Sequence, residues 1–210
     1  MSATRIPIKL FNRAQNAFED AELHEGISEA NLTDWQNQWI PAQEAAMRAL
    51  IKAGRPARSL PDTNHWNWRA KVEVFKGLLS NPSFSISCAG VTQGLMILDT
   101  VKKLSRLEEP KKPPLVYPEY IQTAPWNRKG LVTEPIYSGV GSILLKCAIQ
   151  TSLDLEYKGR IGLHSVPNAE AFYANHCNMT DLGPDSGYHN MRYFEMTPIQ
   201  AQAFLKKGET

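Results

Sequence analysis

The chain has little with which to build a covalent or metal framework. Its three cysteines, Cys88, Cys147 and Cys177, are odd in number and far apart, with no CxxC pair. That spacing argues against a disulfide scaffold and a structural zinc site, and it fits a reducing cytoplasm. Long apolar runs are missing too. None could span a bilayer, and Met1-Ser2-Ala3-Thr4-Arg5-Ile6-Pro7 lacks the apolar core of a signal peptide. Charge of one sign is scarce: a net charge of +2 offers a nucleic-acid backbone little to hold. Lys102-Lys103 and Lys111-Lys112 read as solvated loop charges rather than a patch. No acidic run suggests a polycationic acceptor, and no repeat or low-complexity tract interrupts the chain. What remains is 210 residues, 42% hydrophobic and 21% charged, enough to bury a core as a single domain over 1–210. The expectation is a cytoplasmic protein with no membrane and no nucleic-acid partner.

The apolar pattern changes period along the chain. Ile6 to Leu10 reads as a short strand. Residues 31–54 place Trp35, Trp39, Ala42, Ala46 and Leu50 at helical spacing, with Thr33 or Asp34 as cap, a kink or restart at Pro41 and a stop at Gly54. Residues 55–61 read as a linker. A second helix is expected from about Asn64 to Leu79, capped by Asp62 or Thr63, with Trp68, Val72, Phe75 and Leu79 on one face. Phe84, Ile86 and Cys88 then alternate with serines, and Ala89-Gly90 turns into a hairpin partner over 92–98. Residues 102–114 are charged and proline-rich, hence a loop. Residues 116–123 read as a strand, 141–156 as a helix, 160–166 as a strand, 168–175 as a short helix, 192–196 as a last strand and 198–206 as a closing helix. Antiparallel strands followed by strand–turn–helix–strand–helix–strand imply an α/β fold around a central sheet.

The chemistry concentrates in Tyr137-Ser138-Gly139-Val140-Gly141-Ser142, which opens into the apolar run Ile143 to Ile149. Two glycines separated by one residue at a helix start make an anion-binding turn. Glycine takes backbone conformations closed to other residues and puts no side chain in a ligand's way, while the first helical N–H groups and the helix dipole attract negative charge. A Walker A loop needs a Lys after its last glycine, and none follows Gly141. A dinucleotide-binding fingerprint needs a third glycine where Leu144 stands.

Several elements together resemble the GNAT superfamily of acyl-CoA N-acyltransferases, over residues 116–196. Its Gln/Arg-x-x-Gly-x-Gly/Ala turn corresponds to Ile136-Tyr137-Ser138-Gly139-Val140-Gly141. Arg160-Ile161-Gly162-Leu163-His164-Ser165 looks like the strand that follows. Asn168 to Met179 resembles the family's N-x-x-A-x-x-F-Y-x-x-x-G-[FM] helix, and Tyr193-Phe194-Glu195 its closing strand. Ile136 stands where the family has Gln or Arg, Asn178 replaces a glycine, and the link from Trp126 to Ile136 is long.

The resemblance implies a mixed, mostly antiparallel sheet of about six to seven strands flanked by helices. It places the core sheet and acyl-CoA region over 84–200 and makes 11–80 a helical elaboration that, with the 102–114 loop, shapes the acceptor site. It implies acetyl-CoA as cosubstrate, no metal, and an amine-bearing acceptor of unspecified class; homodimers are common in the family. Backbone groups of Ile121, Gln122, Thr123 and Ala124 would run along the pantetheine arm. Gly139, Val140, Gly141 and Ser142 would hold the pyrophosphate, mainly through backbone because Ile136 offers no polar side chain. Tyr173 matches the tyrosine that protonates the leaving thiolate; its other reading is a packed aromatic. Asn168 matches a cofactor contact, or else caps a helix. Glu119, entering the strand beside the thioester, is the candidate general base, with His164 and His189 as alternatives, although a histidine on an apolar strand more often has a structural role. Trp66, Trp68 and Trp126 lie in polar–aromatic clusters that either line an acceptor pocket or simply pack. The expected activity is direct transfer of an acetyl group to a primary amine in a ternary complex. A GNAT-fold acyl-CoA-binding regulatory module without turnover is the alternative.

Overall fold

The computed structural model describes residues 5–54, 66–108 and 110–207. The linker expected over 55–61, the helix start at Asn64 and its caps Asp62 or Thr63 lie outside these. The chain forms two compact units, one of residues 1–96 with 121–141, the other of 97–120 with 142–210.

In the first unit, β1 (Arg5–Asn12) and β2 (Ala17–Glu25) form an antiparallel hairpin with Phe11 opposite Phe18. Asn12 sets the turn, its Oδ1 accepting from the N–H groups of Ala14 and Gln15. β2 is a strand inside a stretch expected to be helical. Only Ala21 and Leu23 of its nine residues are buried, so its own apolar signal is weak and its pairing with β1 and β3 (Ser83–Cys88) carries it. β3 turns through Ala89 and Gly90, both at positive φ, into β4 (Val91–Asp99).

The helical segment starts earlier than expected. Ser28, not Thr33 or Asp34, caps α1 (Glu29–Asp34) in a reciprocal box with Asn31, and the Asp34 carboxylate instead accepts from the N–H and hydroxyl of Thr92. A π-turn over Trp35–Trp39 follows, and α2 (Ile40–Lys52) restarts with Pro41 in its first turn. Proline has no N–H to give and its ring clashes with the carbonyl four residues back. Widening the turn, so that the Ile40 N–H bonds Trp35 O, admits it without ending the helix. α3 (Trp68–Phe75) is capped by Asn67 and ends before Gly77, leaving Leu79 97% exposed rather than on its apolar face. The strand β5 (Tyr117–Thr123) is followed by a 3-10 turn over Pro125–Asn127 and by β6 (Tyr137–Ser138), which pairs with β1. Six strands thus form one sheet in the order β5-β4-β3-β2-β1-β6.

In the second unit, α4 (Val140–Asp154), which begins two residues before the unit does, buries Leu144, Leu145, Ala148 and Ile149. β7 (Ile161–Ser165) and β8 (Thr180–Asp185) flank β9 (Met191–Met196) in a second sheet, β7-β9-β8. A second π-turn covers Phe172–His176. α5 (Pro198–Lys206) closes the chain on a Thr197–Gln200 capping box with proline in its first turn. The core here is Ile161, Leu163, Phe194 and Met196 with the buried face of α4 and with Ala201 and Phe204 of α5. The described residues of the 102–114 segment form a loop as expected. It is fastened by Glu195 of β9, whose buried carboxylate accepts from the Ser105 hydroxyl and from the N–H groups of Arg106 and Leu107.

β7 also meets the residue at the entrance to β5 once, and in parallel. The Val116 N–H donates to Arg160 O and the Gly162 N–H to Val116 O, and the bridge Val116–Ile161 is not extended into a ladder. Gly162 is required there: a Cβ would lie 2.5 Å from the Tyr193 hydroxyl and 3.2 Å from Leu115. Gly162→Ala should therefore destabilise the protein by about 1–3 kcal/mol through overpacking, and Tyr193→Phe in the same chain should recover part of it. Equal thermal midpoints for Gly162→Ala and the parent, measured by calorimetry, would remove this steric account.

Candidate functional site

The expected site residues divide between the two units. In the first, Ile121 to Thr123 form the end of β5, with Gln122 buried and Ile121 and Thr123 half-buried. Ala124 does not offer its donor, because its N–H is given to Gln93 O. Gln93 is the anchor of the long link that the sequence flagged. Its side-chain oxygen accepts from the Trp126 indole and the Asn127 amide, each at 2.9 Å. Asn127 in turn accepts from the Tyr137 N–H at 2.9 Å, and the Ile136 N–H bonds Trp126 O. Trp126 is therefore a structural clamp between the end of β5 and the start of the glycine turn. The Tyr137 phenol donates to Glu19 at 2.7 Å, which with the Asn12 amide holds that carboxyl below the usual range.

Gly139 has φ +93 and open space where a Cβ would be, so the backbone conformation demands glycine there. Val140 then points into the core as α4 begins, and Ile136 is exposed, presenting no polar group. The first N–H groups of α4 have no partners inside the helix.

In the second unit, Ser142 in the first turn of α4 lies with its hydroxyl 3.1 Å from His176 Nε2. His176 stacks on Phe172, its ring centroid 5.3 Å away. Sequence reasoning gave this imidazole no role. Asn168 is exposed within a 3-10 turn (Pro167–Ala169) that Val166 precedes. Tyr173 is buried in the π-turn against Phe172 and Phe194. Burial pushes its phenol pKa upward, and the same cause pushes the Cys177 thiol up to about 12.

Glu119 is half-buried on β5, two residues from Tyr117 and on the same strand face. Tyr117 leads to a denser cluster. Its hydroxyl is 2.7 Å from His164 Nδ1, and His164 Nε2 is 3.0 Å from Asp185. Asp185 also pairs with Arg106 at 2.7 Å. The Tyr188 ring stacks on the imidazole at 3.8 Å, and the Lys103 ammonium lies over the Tyr188 and Tyr117 rings and bonds the Tyr188 hydroxyl. His164 is thus the satisfied residue its apolar strand suggested, with a 2% exposed side chain and a partner at each nitrogen. Burial, helped by Arg106 and Lys103, holds its pKa below the ordinary value, although Asp185 opposes this. A neutral imidazole donating from Nε2 and accepting the Tyr117 proton at Nδ1 fits both contacts. Asp185, bonded by His164 and Arg106, is lowered to about 2. His189 sits at φ +53 closing the turn after Tyr188. Among the described residues no group of three or more His, Cys, Asp or Glu could hold a metal ion, and the three cysteines are free thiols.

This cluster fixes a pH dependence. The unfolded chain protonates its histidine near pH 6.5 while folded His164 stays neutral to lower pH, so stability falls as pH drops below about 6.5. Asp185 stabilises the fold above the ordinary aspartate value, and that contribution is lost as pH falls towards about 2. Urea unfolding followed from pH 7.5 to 4.5 should show declining stability, with a smaller decline in His164→Gln. An identical slope in the variant would exclude His164 as its source.

By sequence, the chain matches no protein-family profile and no curated protein. By structure it is similar to an uncharacterised protein (bh2621) from Bacillus halodurans, with TM-score 0.55 and 8% identity over 95% of this chain and 94% of that one. It is also similar to a putative arylalkylamine N-acetyltransferase 7 of the yellow fever mosquito, with TM-score 0.51 and 9% identity over 93% of this chain and 95% of that one. These likenesses establish the fold, which is GNAT-like: a mostly antiparallel six-stranded sheet and a second sheet, flanked by helices.

Proposed function

We propose that this protein is an acyltransferase that moves an acetyl group from acetyl-CoA to a primary amine by direct transfer in a ternary complex. The observation that carries the reading is the single parallel bridge between Val116, at the entrance to β5, and Ile161 of β7. Beyond Val116 and Ile161 the two strands have different ladder partners, β4 and β9, so neither supplies the other's facing backbone groups. An extended ligand with amides of its own, such as pantetheine, is chemically suited to such strand edges. The glycine-gated start of α4 is suited to the pyrophosphate of the same molecule, through backbone N–H groups of Gly139 to Ser142. In this reading Ile121, Gln122 and Thr123 provide the strand contacts and Asn168 a further polar contact. Ala124, its N–H already given, contributes position rather than a bond.

The step forms a bond between the amine nitrogen and the thioester carbonyl carbon and breaks the carbon–sulfur bond. The amine's proton leaves to a base, for which we propose Glu119, and the thiolate takes a proton from Tyr173. A phenol in dry surroundings is a weak acid, so this transfer needs an equally basic thiolate. Burial raises the Cys177 thiol, in the same segment, as it raises the Tyr173 phenol. The same desolvation would make a CoA thiolate released there more basic and so a better acceptor for the phenol proton. Acetylation also removes the acceptor's charge, and the reading requires no metal.

Acetyl-CoA should raise the melting temperature, and Gly141→Trp should abolish that shift without abolishing folding. Tyr173→Phe should keep the shift and lower thiol release by about 10²–10⁴-fold. No shift with any acyl-CoA would defeat the proposal. Binding without thiol release across small amines, peptides and protein N-termini would leave only the non-catalytic binding module.

A further inference from the structure

The first unit contains a cavity of about 250 Å³ that the roles above leave unassigned. This is slightly below the range of roughly 300–1,000 Å³ typical of whole-ligand sites, so it suits a small molecule or one end of a larger one. Its apolar walls are the indoles of Trp35, Trp39 and Trp66 with Ile40 and Met47. Trp35, Trp39, Gln43 and Met47 recur at four-residue steps, and the π-turn keeps the two tryptophans on the side that the following helix presents to the same space. The Trp39 ring is fixed. The Trp39 N–H donates to Thr92 O at 2.9 Å, and Gln122, which forms part of the wall, is itself held by the Trp68 N–H.

Two features select the occupant. Indole faces carry negative quadrupole potential, and here a cation already uses one, the Lys71 ammonium lying 4.9 Å from the Trp66 centroid. Glu44 is the one charged side chain among the lining residues; its side chain is 61% exposed at the rim. Its pairing with Arg48, 3.6 Å away and itself exposed, is weak enough for a ligand's ammonium to compete with, while the Arg128 guanidinium bonds Gln43 on the same wall. Flat π-rich walls prefer an aromatic ring over an alkyl chain of similar size. A carboxylate beside them favours a ligand that carries an ammonium group.

We infer that this cavity binds an aromatic primary amine, its ring among the three indoles and its ammonium attracted to Glu44. Its use in turnover rests on the acyltransferase reading, but binding does not. The full chain would be titrated calorimetrically with 2-phenylethylamine, hexylamine and 2-phenylethanol, without CoA and with saturating CoA. The aromatic amine should bind at least about fivefold tighter than either of the others. Trp66→Ala should weaken it by a similar factor, and Glu44→Gln, an exposed change that leaves the fold intact, should weaken the amine but not the alcohol. Equal binding of hexylamine, no measurable binding of the aromatic amine in either arm, or indifference to both substitutions would overturn the inference. So would a cavity whose substitutions Trp66→Ala and Met47→Ala alter binding of decanoyl-CoA but not of the amine, since that occupant is an acyl tail. Selective amine binding with no thiol release from acetyl-CoA would sink the acyltransferase reading alone. Thiol release with aliphatic amines only would sink this one.

Discussion

The second unit is organised by the parallel contact of β5 and β7 at one residue pair. A parallel ladder normally continues, because each further pair satisfies two backbone groups that would otherwise need water. Here Tyr117 follows Val116 directly and is joined by a 2.7 Å hydrogen bond to His164, three residues past Ile161, and Tyr193 packs over Gly162. Side chains of this size on facing strands form their own cluster, and glycine at 162 makes room for the Tyr193 hydroxyl. β7 pairs with β9 instead, and β5 with β4. The two strands of one parallel contact therefore belong to two sheets.

The aromatic cluster holds its place through charge. His164, Asp185 and Arg106 form a chain in which each member satisfies the next, and Arg106 also lies over the Tyr193 ring at 4.1 Å. Glu195, two residues along β9 from Tyr193, adds the Ser105 hydroxyl and the backbone N–H groups of Arg106 and Leu107. A proline-rich loop with few apolar residues thus becomes an ordered wall of this unit. Buried polar groups of this kind are costly unless fully partnered, which makes such a network specific about its geometry.

The elements with strong periodicity were legible in the sequence: β3, β4, β7, β9, α4 and α5 fall where the apolar spacing puts them. β2 and β8 did not declare themselves. β2 has two buried residues in nine, and β8 is Thr-Asp-Leu-Gly-Pro-Asp, a composition that reads as turn; each is a strand because of its neighbour's edge. The capping of α1 was misplaced because Thr33 and Asp34 are as good locally as Ser28, and only the reciprocal Asn31 contact decides. At the candidate site, the glycine turn was legible because a positive φ leaves a mark in residue type. The clamp formed by Gln93, Asn127 and Trp126 was not, since a glutamine 33 residues away has no sequence signature.

The two π-turns were also invisible, yet each carries side chains that matter to the proposals: Trp35 and Trp39 in one, Tyr173 in the other. A π-turn adds a residue to one helical turn and shifts every later side chain around the axis, at some cost in hydrogen-bond geometry. Pro41 explains the first. The second has no proline; there the Cys177 N–H reaches Phe172 O and the Met179 N–H reaches Tyr173 O, so the wide turn runs straight into the chain reversal before β8. The gain is side-chain placement. Tyr173, Cys177 and Met179 are all buried while Phe172 and His176 stack outside them, with the imidazole beside the first turn of α4. An α-helical register would rotate those rings away from one another. The deviation from ideal backbone geometry is therefore what puts the buried phenol and the exposed imidazole on opposite sides of one short segment.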